Sequence, residues 1–229
     1  MYYGNYAAVA DQIAVHSMPS MGGLAIWNGI IAKVFSPTLI GFQLANVVMV
    51  SLIAVMLFVL FKSYHKTVAI IAAMLFALYP SNIVSTQITT NPHGAILLFL
   101  IAIFVYQKAL KEQHIAKCIC YTCIAGVLIT ISNFLHQSVI VVILSMLCFC
   151  LLYIFSKEKK ADKIKTTAIT VCILLLFKLC SGVCVLGFQS MGIINDMQEL
   201  PFIAKIVVGL NEETMGGYSA ADTNLIKSF

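Results

Sequence analysis

Long intervals without a charged side chain are the feature that most constrains this chain. No Lys, Arg, Asp or Glu occurs in the 41 residues from Thr67 to Gln107, or in the 39 residues from Cys118 to Ser156. A helix of roughly 20 apolar residues crosses the hydrocarbon core of a bilayer, so each interval is long enough for two crossings. Charged residues make up 10% of the chain, against roughly 25% in soluble domains. The sequence therefore predicts an all-α, polytopic membrane protein.

Polar breaks divide these intervals into separate helices. The segment PSNIVSTQITTNPH (80–93) holds two prolines in a polar run, and SNFLHQS (132–138) interrupts the second interval. Proline and clustered polar residues favour turns over a continuing helix. About six transmembrane helices are predicted, over residues 38–61, 67–83, 93–107, 117–132, 137–155 and 167–191.

The lysines predict which side of the membrane each connection faces. Six spans place most of the 14 basic residues, all of them lysines, on one side, and most of the acids on the other. The first side holds Lys62, Lys66, Lys108, Lys111, Lys117, Lys157, Lys159, Lys160, Lys163 and Lys165; the second holds Asp11, Asp196, Glu199, Glu212, Glu213 and Asp222. The positive-inside rule makes the lysine side cytoplasmic and both termini external. We expect an integral protein of a bacterial plasma membrane, and no nucleic-acid partner because the lysines form no basic face.

The predicted organisation has three parts. Residues 1–37 form an external first loop with a juxtamembrane helix near GGLAIWNGIIAKVF (22–35), residues 38–191 form the six-helix domain, and residues 192–229 form an external loop or the start of a further C-terminal region. The first fifteen residues lack the basic start and apolar core of a signal peptide. An external N-terminus of this kind leads us to expect a chain that is truncated at both ends.

The order of several short segments resembles the polytopic glycosyltransferases of family 39, the protein mannosyltransferase and aminoarabinose transferase group. The segments are YYGNYAAVA (2–10), FSPTLIGFQLANVV (35–48), ALYPSNIVSTQITTNPHGAILLFL (77–100), AGVLITISNFLHQSVIVVIL (125–144) and VVGLNEETMGGYSAADTNLI (207–226). The resemblance implies inverting transfer of a sugar from a polyprenyl-phosphate donor, itself a membrane lipid, to a glycan, lipid or protein acceptor of the cell envelope at the outer membrane face.

Such a reaction implies particular side chains. An acceptor hydroxyl gains from a carboxylate general base, and the phosphate leaving group needs a cation or a metal. The resemblance makes Asp11 the candidate base, and Lys178, His136, His93 and Asn91 the candidates for the donor phosphate or the cavity. No metal-ligand cluster is predicted and no cofactor is assigned; a divalent metal remains an open alternative.

The chain departs from the family pattern at three places. The aspartate that precedes the tyrosines in the family has no counterpart after Met1, the acid before Pro92 is replaced by Asn91, and an Arg-Pro pair reads His136–Gln137. These departures predict weakened or altered catalysis. We expect glycosyltransferase activity if the N-terminal aspartate is restored.

Each candidate also has a plainer interpretation. Lys178 lies mid-helix, where a charge costs roughly 2.5–3.5 kcal/mol on insertion scales, and it can instead snorkel or stay neutral in a helix interface. Asp11 can be a solvated helix residue, and His93 and His136 can cap helices. The CxCxxC of Cys118, Cys120 and Cys123, like the other five cysteines, indicates apolar packing rather than a metal site.

Two further functions stay open. One is a non-catalytic membrane subunit or a translocator of lipid-linked sugars, which keeps the cavity and has lost the base. The other is a small-solute transporter, which needs charged residues facing one another across the membrane. The predicted spans hold no acid that Lys178 could face.

Overall fold

The computed structural model describes residues 19–87, 93–136, 139–156 and 159–190, and one compact unit runs from Ser20 to Gly187. The described residues form helices and no strand, so the all-α prediction is confirmed over this part of the chain. The helices are α1 (Pro19–Val34), α2 (Leu39–Phe61), α3 (Lys66–Leu78), α4 (Pro80–Ser85), α5 (His93–Lys111), α6 (Ile115–Leu135), α7 (Val139–Phe155) and α8 (Lys160–Ser190).

Four of these helices are long and apolar enough to cross a membrane, by length and composition. They are α2, α5, α6 and the Lys160–Gly187 part of α8, with 23, 19, 21 and 28 residues. Helices α3 and α7 are apolar but shorter, with 13 and 17 residues. At about 1.5 Å per residue, α3 reaches only about 20 Å of a hydrocarbon core of about 30 Å. The described residues thus form a membrane protein with four candidate spanning helices.

A proline explains why α3 is short. The helix predicted over 67–83 ends at Leu78, because Pro80 confines the preceding Tyr79 to an extended backbone (φ −66°, ψ 118°). Pro80 then occupies the first position of α4, where its missing N–H has no cost. The Asn82 side chain turns back and its Nδ2 donates to the Phe76 carbonyl at 2.8 Å, which satisfies a free acceptor at the end of α3.

The main core lies where the later helices meet. Helix α5 packs most extensively against α6, and α2 packs against both α3 and α5. Buried side chains of α5, α6, α7 and α8 form one apolar cluster: Ala102, Tyr106, Ala109, Ala125, Ile129, Val142, Met146, Ile169 and Ile173. Inside this region Tyr106 and Thr170 share a buried hydrogen bond of 2.8 Å between their hydroxyls. Interhelical hydrogen bonds of this kind join helices that lipid alone does not drive together.

The two ends of the helices differ in chemistry. We call the end where α3 stops and α5 begins the corner end, and the end where α5 stops and α8 begins the lysine end. At the lysine end, Lys165 Nζ donates to the carbonyls of Leu110 (2.8 Å) and Glu112 (2.6 Å) at the end of α5. Lys163 Nζ donates to the Ile154 carbonyl (2.9 Å) in the last turn of α7. Cations at helix C-termini satisfy free carbonyls and complement the helix dipole, so these lysines hold α8 to α5 and α7.

Candidate functional site

Polar groups from α2, from the end of α4 and the turn after it, and from the start of α5 meet at the corner end; those of α2 and α5 are buried and the others half-buried. We call Asn46, Ser85, Thr86 and His93 the corner cluster. His93 is 3% exposed and Asn46 is 6% exposed. Burying a polar group is costly unless it is hydrogen-bonded, so the partners of these side chains determine how the corner is built.

His93 is held by a serine on the other side of the turn. Its Nε2 lies 3.1 Å from Ser85 Oγ, and the Ser85 hydroxyl donates to the Asn82 carbonyl at 2.9 Å. Because a serine hydroxyl has a single hydrogen, we assign the proton of the neutral imidazole to Nε2, which donates to Ser85. This bond ties the first residue of α5 to the last residue of α4.

Asn46 connects the corner to α2. Its Nδ2 donates to the backbone carbonyl of Thr86 at 3.1 Å, across 40 positions of the chain. Asn46 lies two turns into a helix that is otherwise almost entirely apolar. The amide of this buried side chain therefore fixes the turn after α4 against α2.

The first helix docks beside this cluster. A methyl group at Gly94, the residue after His93, would lie 2.8 Å from three atoms of the Trp27 indole, and one at Gly23 would collide with the Phe134 carbonyl. Further along α1, Ile31 packs against Phe42 of α2. The helix predicted near residues 22–35 is thus present, and it contacts α2, α5 and α6 at the corner end.

His136 lies at the same end as His93. It follows the last residue of α6, and its backbone N–H donates to the Ser132 carbonyl at 3.0 Å. The Ser132 hydroxyl in turn donates to the Ala95 carbonyl of α5 at 2.9 Å, which joins the end of α6 to the start of α5. His136 is exposed at its surface, and desolvation by the neighbouring protein lowers the pKa of its imidazole below the ordinary value, which favours the neutral ring.

The other predicted site residues do not join this cluster. Lys178 is exposed on the side of α8 opposite the buried Ile169 and Ile173. No hydrogen bond or ion pair connects it to any residue in the described part of the chain. Asp11 and Asn91 lie outside the described residues.

Sequence reasoning overlooked three residues of this region: Asn46, Ser85 and Trp27. A signal existed for Asn46, because a polar residue inside a membrane helix is a functional or structural candidate by the same reasoning that singled out Lys178. No comparable signal existed for Ser85 or Trp27. Their partners lie across a turn or on another helix, and spacing along the chain does not reveal them.

The cluster offers hydrogen bonds rather than charge. Among the described residues the acids are Glu112 and Asp162, and both lie at the lysine end. No three His, Cys, Asp or Glu side chains within the described ranges are grouped to hold a metal ion, and the eight cysteines are free. The corner cluster supplies an amide, hydroxyls and one imidazole, which suit the oxygens of a phosphate or a sugar.

Comparison of the chain with known protein families, with characterised proteins and with solved structures found no match. The resemblance to family 39 therefore stays a prediction from the sequence.

Proposed function

We propose that this chain is a six-span membrane protein of the family 39 glycosyltransferase type, which binds a polyprenyl-phosphate-linked sugar at the corner cluster. The observation that carries the proposal is the packing of Trp27 on Gly94, directly beside His93. A juxtamembrane helix next to a buried polar cluster is the arrangement that the resemblance implies for a donor site at the membrane surface.

An arrangement with six spans requires that the two shorter helices, α3 and α7, also cross the membrane. In this proposal α3 together with α4 makes one crossing, and α7 makes another of about 25 Å at 1.5 Å per residue. A bilayer thins locally around short spans at modest cost. The lysine end is then cytoplasmic and the corner end external, by the positive-inside rule.

The proposed donor contacts come from neutral groups. The Nε2–H of His93 is donated to Ser85, so its Nδ1 is an acceptor for a sugar hydroxyl. The amide of Asn46 is a donor for phosphate or sugar oxygens, and His136 is the further titratable group at this end. A carboxylate base would have to come from the first loop, where Asp11 is the candidate. Lys178 is the weaker candidate for the phosphate because its side of α8 faces away from the core.

A non-catalytic subunit or translocator of lipid-linked sugars is the second candidate function. The observation that favours it is the absence of a carboxylate at the corner end among the described residues. Such a protein needs the binding site and not the base. The two functions therefore share the donor site and differ in turnover.

Donor binding tests the shared part of the proposal. The purified chain in nanodiscs is titrated with a short-chain polyprenyl-phosphate sugar, and binding is measured by native mass spectrometry. A hydrogen bond between uncharged groups contributes about 0.5–1.5 kcal/mol, so loss of the His93 acceptor in His93→Ala should weaken binding by about two- to tenfold. Ser145→Ala is the matched control, since that hydroxyl bonds only the Val142 carbonyl of its own helix. Equal affinity of His93→Ala and Ser145→Ala for the donor would mean that His93 does not contact the donor. Absence of donor binding to the parent chain would contradict the proposal.

Turnover of the sugar donor distinguishes a glycosyltransferase from a translocator. The donor-loaded protein is mixed with envelope acceptors, and release of polyprenyl phosphate is followed. A glycosyltransferase releases it together with a glycosylated acceptor. A translocator moves labelled donor between the leaflets of a vesicle and leaves it intact.

A further inference from the structure

Helix α8 presents a continuous exposed face that carries one charge. We call this the α8 outer face: Val171, Leu175, Lys178, Leu179, Gly182, Val183 and Leu186. These positions recur at helical spacing on one side of α8, opposite Ile169 and Ile173, which are buried in the core. The apolar side chains of this face are 47 to 66% exposed. A lipid-facing helix has such a surface, apart from the lysine.

Lys178 lies too deep to reach water from this face. It stands thirteen residues after Lys165, which is anchored to the end of α5, and therefore about 20 Å from the lysine end. The end of α8 at Ser190 lies about 18 Å away in the other direction. Side chains lean toward the N-terminus of their helix, so Lys178 points back toward the more distant lysine end and away from the corner end. Snorkelling to either surface is unfavourable in this geometry.

Three possible sources of a negative charge beside Lys178 can be excluded: the described residues, the spans of a second copy of the chain, and a lipid phosphate. No described residue makes an ion pair with Lys178. A second copy of the chain offers no carboxylate at this depth, because the six predicted spans contain no acid, and pairing of two α8 outer faces would bring two lysines together. A lipid phosphate lies at the membrane surface, outside the hydrocarbon core.

We propose that the α8 outer face binds a transmembrane helix of a different protein, which carries an aspartate or glutamate at the depth of Lys178. Charge complementarity defines the partner: its carboxylate pairs with the Lys178 ammonium within the bilayer. Gly182 lies one turn further along the same face, and a methyl group there would meet nothing within 4 Å. The glycine allows the partner helix to approach α8 closely beside the ion pair.

The test uses a defined peptide in place of the unidentified partner. A fluorescent, leucine-rich transmembrane peptide of about 22 residues carries one glutamate at the depth of Lys178, and its control carries glutamine there. Energy transfer to the labelled, full-length protein is measured in neutral lipid vesicles. The glutamate peptide should bind at least about tenfold tighter than the glutamine peptide, as for other close charge pairs.

Variants assign the preference to the lysine. Lys178→Met and Lys178→Gln should bind both peptides alike, and Lys178→Glu should prefer a peptide with lysine at that position. Lys160→Met, which removes an exposed lysine at the start of α8, should keep the glutamate preference. Helical content by circular dichroism verifies that each variant is folded. Equal binding of both peptides to the parent protein, a preference that survives in Lys178→Met, or self-association that depends on Lys178 would each overturn the proposal.

Discussion

Asn46 places an amide inside an apolar helix, and its bond to the Thr86 carbonyl makes that placement tolerable. Asn46→Leu removes the donor and leaves the carbonyl without this partner. Side-chain hydrogen bonds between membrane helices contribute about 0.6 kcal/mol on average and up to about 1.7 kcal/mol. We expect a loss of free energy of unfolding within this range, because the Asn46 side chain is buried. The free energy of unfolding in mixed micelles with increasing SDS measures it.

Ser51→Ala is the matched control for this prediction. Ser51 lies on the same helix, but its exposed hydroxyl donates to the Val47 carbonyl of its own backbone. The control should therefore change the free energy of unfolding by less than about 0.5 kcal/mol. Similar losses for the two variants would mean that the Asn46 amide does not hold the corner to α2.

His93 and Lys178 illustrate what the sequence can predict at this scale. The resemblance makes both residues candidates, and for Lys178 the cost of a charge inside an apolar span adds a physical reason. The structure buries His93 against Ser85 and exposes Lys178 on the opposite side of α8 from the core. Helices that are apolar all round carry no periodic signal of which face packs inward, so the sequence indicated both residues without distinguishing their surroundings.

Gly23 and Gly94 are the two glycines that allow α1 to lie close to α6 and α5 at the corner end. Gly94→Ala would put a methyl group against the Trp27 indole, and we expect it to destabilise the protein by about 1–3 kcal/mol, as overpacking does elsewhere. Gly29 lies on the open side of α1, with nothing within 4 Å of an added methyl group. Gly29→Ala should be neutral or slightly stabilising, because alanine is the better helix former. Trp27 fluorescence and the unfolding midpoint check both variants, and equal effects would exclude the Trp27–Gly94 contact.

Lysines hold the start of α8 to the ends of α5 and α7. The same lysines are among those from which the cytoplasmic side is predicted. Lys165→Met removes a cation from two carbonyls at the end of α5, and capping interactions of this kind contribute about 0.3–2 kcal/mol. Lys160→Met is the control, since Lys160 is exposed and caps no helix in the described structure. Hydrogen exchange of the last turn of α5 should accelerate in Lys165→Met and not in Lys160→Met. Unchanged hydrogen exchange in both variants would mean that Lys165 does not stabilise the last turn of α5 and contributes only to the orientation of the chain in the membrane.

Helix positions are largely predictable, with two exceptions. Helix α8 begins at Lys160, seven residues before the predicted start at residue 167, because its first turns carry the lysines that the prediction assigned to a connection. Lysines and polar breaks delimit α2, α5, α6 and α7 within a few residues of the structure. The helix predicted over 67–83 is interrupted because Pro80 acts on Tyr79, and the short α4 continues the helical backbone beyond that break. Composition identified the polar corner but not the cap that Asn82 provides, since that contact depends on the direction in which the chain turns back.

For the whole molecule, the uneven distribution of lysines predicts which side of the membrane each connection faces. That prediction places all the lysine-rich connections on one side only if the chain crosses the membrane six times. Epitope tags inserted at Ser63 and at Gln113 lie in the α2–α3 and α5–α6 connections. With six spans both tags lie on the cytoplasmic side, because α3 and α5 each cross once between them. If α3 does not cross, α5 alone separates the two tags and they lie on opposite sides.

Antibody access in intact and permeabilised cells distinguishes these arrangements. We expect both internal tags to be protected until the membrane is permeabilised and an N-terminal tag to be accessible in intact cells, because the ten lysines of the connections hold that side in the cytoplasm. Opposite access of the two internal tags would reduce the spans to those formed by the longer helices. Access to both in intact cells would turn the corner cluster toward the cytosol, and His93 and Asn46 would then lie on the wrong side for a donor presented at the outer membrane face.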